Sequence, residues 1–131
     1  MKRAFFSFFA LAACLSACNK SGIDPNEVMG QAAKVYYEYL IHGKYEAYVD
    51  GFYQPDSIPD SYREQLVANA KMFAGLMDEQ HKGLKSVSVA SAKADTARHV
   101  GHAFLILCFG DSTREEVVVP MVEHKGAWML R

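Results

Sequence analysis

The sequence predicts an α+β domain in which three helices pack on one curved four-stranded antiparallel sheet. Two observations lead to this prediction. Apolar residues recur at helical spacing before Gly83 and at the alternating spacing of strands after it. In addition, the segments that link the predicted strands are short, and short connections favour antiparallel pairing of consecutive strands.

The first helix is predicted to begin at Pro25 and to end before Gly43. Asp24 is placed to cap its start, a proline suits the first turn, and a glycine often follows the last turn. The apolar residues that share one face of this helix are Val28, Ala32, Val35, Tyr36, Tyr39 and Leu40. Because they recur at helical spacing, we expect their face to be buried.

A short second helix is predicted over residues 45–52 and a longer third helix over residues 60–82, with Pro55 and Pro59 interrupting the helical pattern between them. The apolar face of the third helix consists of Tyr62, Leu66, Ala70, Phe73, Leu76 and Met77. Gly75 lies inside this helix, where glycine costs about 1 kcal/mol relative to alanine. We therefore expect a close packing contact at Gly75.

The predicted strands cover residues 84–90, 98–109, 115–123 and 127–131, with a turn at residues 93–96. The second strand is apolar on both faces toward its end, which predicts a central position in the sheet. Pro120 indicates a sheet edge or a bulge in the third strand, because proline lacks a backbone N–H. Trp128 is expected to fill one end of the core.

The N-terminal residues predict export across a membrane. Lysine and arginine at positions 2–3 are followed by a nearly uninterrupted apolar run over residues 5–14, and small residues at positions 16–17 come immediately before Cys18. This order is typical of a secretory signal peptide, which would comprise residues 1–17. The apolar run is shorter than the roughly 20 residues that a membrane-spanning helix needs.

Residues 15–18 (Leu-Ser-Ala-Cys) resemble the lipobox of bacterial lipoproteins. The resemblance implies cleavage before Cys18 and a diacylglycerol group on its sulfur, followed by a polar tether over residues 18–24 and a domain over residues 25–131. Two or three acyl chains are enough for stable attachment to a membrane. Because Asn19 rather than aspartate follows the cysteine, resemblance to enterobacterial sorting favours the outer membrane. We expect a bacterial envelope protein that faces the periplasm.

The composition excludes several classes of site. The chain has 14 Lys and Arg against 15 Asp and Glu, without a basic cluster, so we expect no nucleic-acid partner. Cys108 is the one cysteine inside the predicted domain, and its apolar neighbours indicate a buried, unreactive side chain. His99 and His102 would point to opposite faces of a strand, and the sequence contains no phosphate-binding or Cys-x-x-Cys motif. We expect neither a metal nor a cofactor.

Two short segments carry a resemblance to a known fold. Residues 43–47 (Gly-Lys-Tyr-Glu-Ala) open the second helix, and residues 125–130 (Lys-Gly-Ala-Trp-Met-Leu) contain the turn into the last strand and most of that strand. Together with the first helix, the longer third helix and three hairpin-linked strands, they resemble the nuclear transport factor 2-like (cystatin-like) fold. More narrowly, residues 25–131 resemble a family of small bacterial envelope lipoproteins with a domain of unknown function. The resemblance implies a cone, in which the sheet wraps around the first helix and often leaves a pocket.

The candidate pocket residues are Tyr36, Tyr39, Asp50, Tyr53 and Tyr62, because tyrosines are concentrated in the helical half of the chain. Tyrosine combines apolar bulk with a hydroxyl group that can bind a ligand. We expect a protein that is not an enzyme and that binds a small ligand or an envelope protein through the cone. A structural or assembly module that acts through its sheet face, with a possible homodimer, is an alternative. A less favoured alternative is an isomerase-like enzyme with Asp50 as base and tyrosine hydroxyls as donors.

The shape of the site distinguishes these functions. A deep pocket that contains Asp50 and tyrosine hydroxyls would favour the enzyme. An apolar pocket without a carboxylate would favour a binding protein. A filled core with an exposed apolar sheet face would favour an interaction module.

Overall fold

The computed structural model describes residues 22–131 and confirms the α+β class. The elements are α1 (Pro25–Ile41), α2 (Tyr45–Asp50), α3 (Asp60–His81), β1 (Leu84–Asp95), β2 (Val100–Phe109), β3 (Arg114–His124) and β4 (Ala127–Leu130). The strands form one antiparallel sheet in the order β1-β2-β3-β4. The predicted signal peptide and the predicted lipid site, Cys18, lie outside the described residues. Within 22–131, no helix combines the length and the apolar composition that crossing a membrane requires.

The bounds of α1 agree with the signals read from the sequence. The Asp24 side chain accepts a hydrogen bond of 3.0 Å from the backbone N–H of Asn26, and Pro25 occupies the first turn. At the other end Gly43 has a φ of +71°, a conformation that glycine adopts without steric cost. The α2 helix ends two residues earlier than predicted, because the chain after Asp50 pairs with β4, where Leu130 donates to the carbonyl of Gly51.

The buried face of α1 differs from the predicted one. Val28 and Val35 are each 42% exposed, and Met29, Gly30 and Ala33 are buried instead. A Cβ atom built on Gly30 would lie 3.0 Å from a side-chain carbon of Val89 in β1. Small residues therefore mark the side on which the helix backbone comes closest to the sheet. The buried face is rotated by about one residue relative to the predicted face.

The core fills the space between α1 and the concave face of the sheet. Its buried members are Met29, Ala33, Val87, Ala103, Leu105, Leu107, Phe109, Val119, Met121, Trp128 and Leu130. Trp128 is 5% exposed, at the end of the core where it was expected. No polar or charged side chain is buried among the described residues. Because the sheet, the helices and this core all lie within residues 22–131, this part of the chain has the size of a domain that folds on its own.

The first strand is longer than predicted. Residues 93–95, which were expected to form part of a turn, belong to β1, and the turn covers residues 96–99. The pairing of β1 with β2 shifts between Val89 and Ser91. Such a bulge interrupts the strict alternation of apolar residues. The predicted strand therefore ended earlier than the observed strand does.

Pro120 lies where the sheet has a local edge, which confirms that prediction. Met121 pairs with Leu130, and the backbone N–H of Arg131, just past the end of β4, donates to the carbonyl of Pro120 at 3.2 Å. In an antiparallel pair, a residue directs its N and O toward the same neighbour. The missing N–H of Pro120 therefore faces the point at which β4 ends.

The expected packing contact at Gly75 is wrong. Gly75 is exposed, and no atom lies within 4 Å of a Cβ built there. This glycine gains no contact that offsets its low helix propensity.

The turn between β2 and β3 is attached to the end of α3. Asp111 accepts hydrogen bonds from the hydroxyl of Thr113 at 2.5 Å and from its backbone N–H at 3.0 Å, and a carboxylate oxygen lies 3.1 Å from Nδ1 of His81. These interactions, those of Thr113 first, lower the pKa of Asp111 from its ordinary value of 3.8 to about 2.

We expect Asp111 to make the fold sensitive to acid. Its stabilising effect is present above pH 3.8 and is lost as the pH falls toward 2, because the unfolded chain binds the proton first. In the Asp111→Asn variant, the urea midpoint should therefore decrease less than in the wild type as the pH is lowered over this range. Thr113→Ala, which removes the largest cause of the shift, should give an intermediate slope. Equal slopes for the wild type and both variants would contradict this assignment.

Candidate functional site

An apolar groove lies between α3 and the α1–α2 pair. Its volume is about 470 Å³, and we call it the α3 groove. It is lined by Leu40, Tyr48, Val49, Phe52, Gln54, Tyr62, Leu66, Asn69, Ala70 and Phe73. None of these lining residues carries a charge, and two of them, Gln54 and Asn69, are neutral amides. The groove therefore offers apolar and aromatic surface with a few hydrogen-bonding groups, the usual composition of small-molecule sites.

The groove exists because α3 covers its neighbours incompletely. Ala70 is the one buried residue of this helix. Tyr62 is 50% exposed, Phe73 37% and Leu76 43%, although all three belong to the apolar face that the sequence predicted. A helix in a soluble domain normally buries such a face against the core. Here, part of that face forms the wall of an open groove.

Aromatic residues of α2 and of the segment after it form the opposite wall. The ring centroids of Tyr48 and Phe52 lie 5.3 Å apart in an edge-to-face arrangement, and Tyr37 of α1 contacts Tyr48 in the same way at 6.1 Å. Burial, and secondarily Tyr37, raises the pKa of Tyr48 to about 12. Tyr48 is therefore protonated at neutral pH and cannot serve as a base there.

An ion pair connects α2 with α3 beside the groove. Arg63 donates from Nε and Nη2 to the two carboxylate oxygens of Asp50, at 3.0 Å and 2.9 Å. The hydrogen bond and the charge of Asp50 raise the pKa of Arg63. Both oxygens of Asp50 are thus already engaged, and Asp50 is not among the residues that line the groove.

The structure separates the five candidate pocket residues, and only Tyr62 lines the α3 groove. Tyr36 donates its hydroxyl hydrogen to the backbone carbonyl of Trp128 at 2.8 Å, and Tyr39 packs edge-to-face on Tyr36. The ring of Tyr53 lies 4.9 Å from that of His124. Tyr36 and Tyr53 thus contact the sheet and Tyr39 packs within α1, so none of the three lines the groove.

The sequence analysis assigned most groove residues to the core. Leu66, Ala70 and Phe73 were predicted to form the buried face of the third helix, and Gln54 was not singled out. The cone interior is occupied by side chains such as Met29 and Leu105, which are fully buried.

The convex face of the sheet is a second candidate surface. Phe104 of β2 lies opposite Val118 of β3, and Val122 of β3 lies opposite Met129 of β4. Val118 is 56% exposed. The half-buried Cys108 lies on the same strand as Phe104, four residues further on. In residues 22–131, no three His, Cys, Asp or Glu side chains are grouped so that they could hold a metal ion.

Comparison with known proteins identifies the fold. Neither the protein-family models nor the curated proteins that were searched match this sequence. Among solved structures, the chain is similar to a protein of Campylobacter jejuni assigned as an NTF2-like (nuclear transport factor 2-like) transpeptidase, with a TM-score of 0.61. The match covers 75% of this chain and 92% of that chain at 11% sequence identity. At this identity the likeness shows the fold alone, and the domain has the nuclear transport factor 2-like fold.

Proposed function

We propose that this protein is a lipid-anchored envelope protein whose domain binds a small apolar ligand in the α3 groove. The proposal has two parts that rest on different residues. Attachment through Cys18, with the domain in the periplasm at the outer membrane, rests on the signal-like segment and the lipobox. Ligand binding rests on the groove.

The observation that carries the binding proposal is an open apolar groove without a carboxylate. Its volume of about 470 Å³ lies within the roughly 300–1,000 Å³ of small-molecule sites. Exposed apolar surface of this kind is unfavourable in water, so a ligand that covers Tyr62 and Phe73 gains free energy by burial. By the criteria stated from the sequence, such a groove favours a binding protein.

The chemistry of the groove supports binding rather than catalysis. A transpeptidase, the activity assigned to the structural neighbour, transfers acyl groups and is expected to need an activated nucleophile. The lining residues include no serine, cysteine, histidine or lysine. The isomerase alternative requires a free carboxylate base, whereas Asp50 is paired with Arg63.

Lipid attachment is tested by labelling. In a Gram-negative host that is fed an alkyne-bearing palmitate analogue, the full-length protein should carry the label because Cys18 is acylated. Cys18→Ser should abolish the label, whereas the control Cys108→Ser should keep it. An unlabelled wild type, or a labelled Cys18→Ser variant, would contradict the anchor.

Ligand binding is tested by native mass spectrometry of residues 19–131, recovered from the periplasm without detergent. We expect a reproducible added mass on the monomer. Ala70→Phe should remove it, because Ala70 is buried in the groove wall and a phenyl ring there fills the groove. A monomer without added mass would contradict the binding proposal.

The same spectrum tests a second function, an interaction module that acts through the convex sheet face. The exposed Val118 opposite Phe104 favours this alternative, because contiguous apolar surface often marks a protein interface. A dimer without added mass would support the sheet face over the groove.

A further inference from the structure

The α3 groove extends along α3. Its wall on α3 extends from Tyr62 in the first turn to Phe73, a distance of about 16 Å at 1.5 Å per residue. The residues of α3 that line it between these ends include Leu66 and Ala70 on successive turns. A groove with one continuous apolar wall along a helix matches an extended, flexible chain better than a compact ring system.

Four of the lining residues carry hydrogen-bonding groups: Tyr48, Gln54, Tyr62 and Asn69. Tyr62 belongs to the first turn of α3, and Gln54 belongs to the loop that leads into this helix. Asn69 lies further along and accepts a hydrogen bond from Gln65 at 3.0 Å. The part of the groove near Phe73 and Leu40 is apolar. The groove therefore combines hydrogen-bonding groups with apolar surface near Phe73, which suits an amphiphile.

The electrostatics of the groove select an uncharged ligand. None of the lining residues is charged, and the nearby Arg63 and Asp50 bind each other through two hydrogen bonds. Burying a charged group without a partner is strongly unfavourable. Inside the groove, a cationic or anionic head group would find no counter-charge among the lining residues unless it broke this ion pair.

We infer that the α3 groove binds a neutral amphiphile with a single alkyl chain, of the monoacylglycerol class. The chain lies along α3 toward Phe73, and the uncharged head group lies near Gln54 and Tyr62. The inference rests on the proposed function, since it names the ligand class of the same groove. Attachment to a membrane would also keep the groove close to a source of such amphiphiles.

The test compares three probes that share a twelve-carbon chain: glycerol monolaurate, which is neutral, laurate, which is anionic, and dodecyltrimethylammonium, which is cationic. Each displaces the neutral dye N-phenylnaphthylamine from residues 19–131 below its micellar concentration. We expect the Kd of glycerol monolaurate to be at least about tenfold lower than those of the two charged probes. Equal or tighter binding of a charged probe would overturn the inference.

Two variants with the same substitution at adjacent positions locate the site. Phe73 lines the groove, whereas its neighbour Met72 is 64% exposed and does not line it. Phe73→Asp should raise the Kd of glycerol monolaurate at least about tenfold, because it places a carboxylate beside the alkyl chain. Met72→Asp should leave that Kd unchanged. Equal effects of the two variants would show binding outside the groove and would overturn the inference.

The outcomes separate this inference from the proposed function. If native mass spectrometry finds an added mass that Ala70→Phe removes, while glycerol monolaurate does not bind, the ligand class is wrong and the binding function stands. If the protein carries no added mass and none of the three probes binds, both are wrong. Circular dichroism of each variant shows that a lost affinity does not reflect a lost fold.

Discussion

Replacing Trp128 by alanine is expected to lower the free energy of unfolding by about 3–5 kcal/mol, the range for removing a large aromatic side chain from a core. Trp128 is 5% exposed and belongs to the same buried cluster as Met121 and Leu130. Its backbone carbonyl oxygen also accepts a hydrogen bond from the hydroxyl group of Tyr36. A cavity at this position would loosen the junction between α1 and β4.

Urea denaturation of residues 19–131 measures this effect, and Met129→Ala is the matched control. Met129 is the next residue along β4 and is only half-buried, on the other face of the strand. Its truncation should cost much less than that of Trp128. Similar losses for the two variants would show that Trp128 contributes no more than a surface position of the same strand.

The second large effect is expected from Gly101→Ala, which should destabilise the fold by about 1–3 kcal/mol through overpacking. Gly101 is buried in β2, where a Cβ would overlap the sulfur of Met29 and lie 2.8 Å from the carbonyl oxygen of Lys93. The Met29 side chain can move, but the carbonyl oxygen belongs to the paired strand β1 and cannot move without disturbing the sheet.

Gly75→Ala provides a control of opposite sign for the same chemical change. A methyl group at Gly75 meets no atom within 4 Å and lies in the interior of α3. It should therefore stabilise the protein by up to about 1 kcal/mol. If the urea midpoints of Gly75→Ala and Gly101→Ala shift in the same direction, the two glycines do not differ in packing as the structure indicates.

The sequence predicted the elements of this fold because each one carries a strong local signal. The cap at Asp24 and the helical period place α1, and the alternation of apolar residues places the strands. The face of α1 was misjudged because two of its four buried residues, Gly30 and Ala33, are small, so the larger apolar residues did not mark the side that approaches the sheet. Local patterns report which residues are apolar, whereas the distance between two elements decides which of them are buried.

The candidate site was much harder to predict for the same reason. Leu66, Ala70 and Phe73 have the spacing of a core face whether or not another element covers them. The angle at which α3 crosses its neighbours decides between core and groove, and no local pattern encodes that angle. The pairing of Asp50 with Arg63 was equally hidden, because it joins two helices across a loop.

The sparse burial of α3 has a consequence for its dynamics. Apart from the attachment of its last turn to Asp111 through His81, α3 is held by one buried side chain, Ala70, by half-buried residues such as Met77 and by one ion pair to α2. These contacts contribute little free energy for a helix of this length. The helix is preceded by a loop with Pro55 and Pro59, and it ends at Lys82, whose φ is +60°. We therefore expect the amide hydrogens of α3 to exchange with solvent through a local opening that leaves α1 and the sheet folded. A ligand in the groove would slow exchange in α3 selectively.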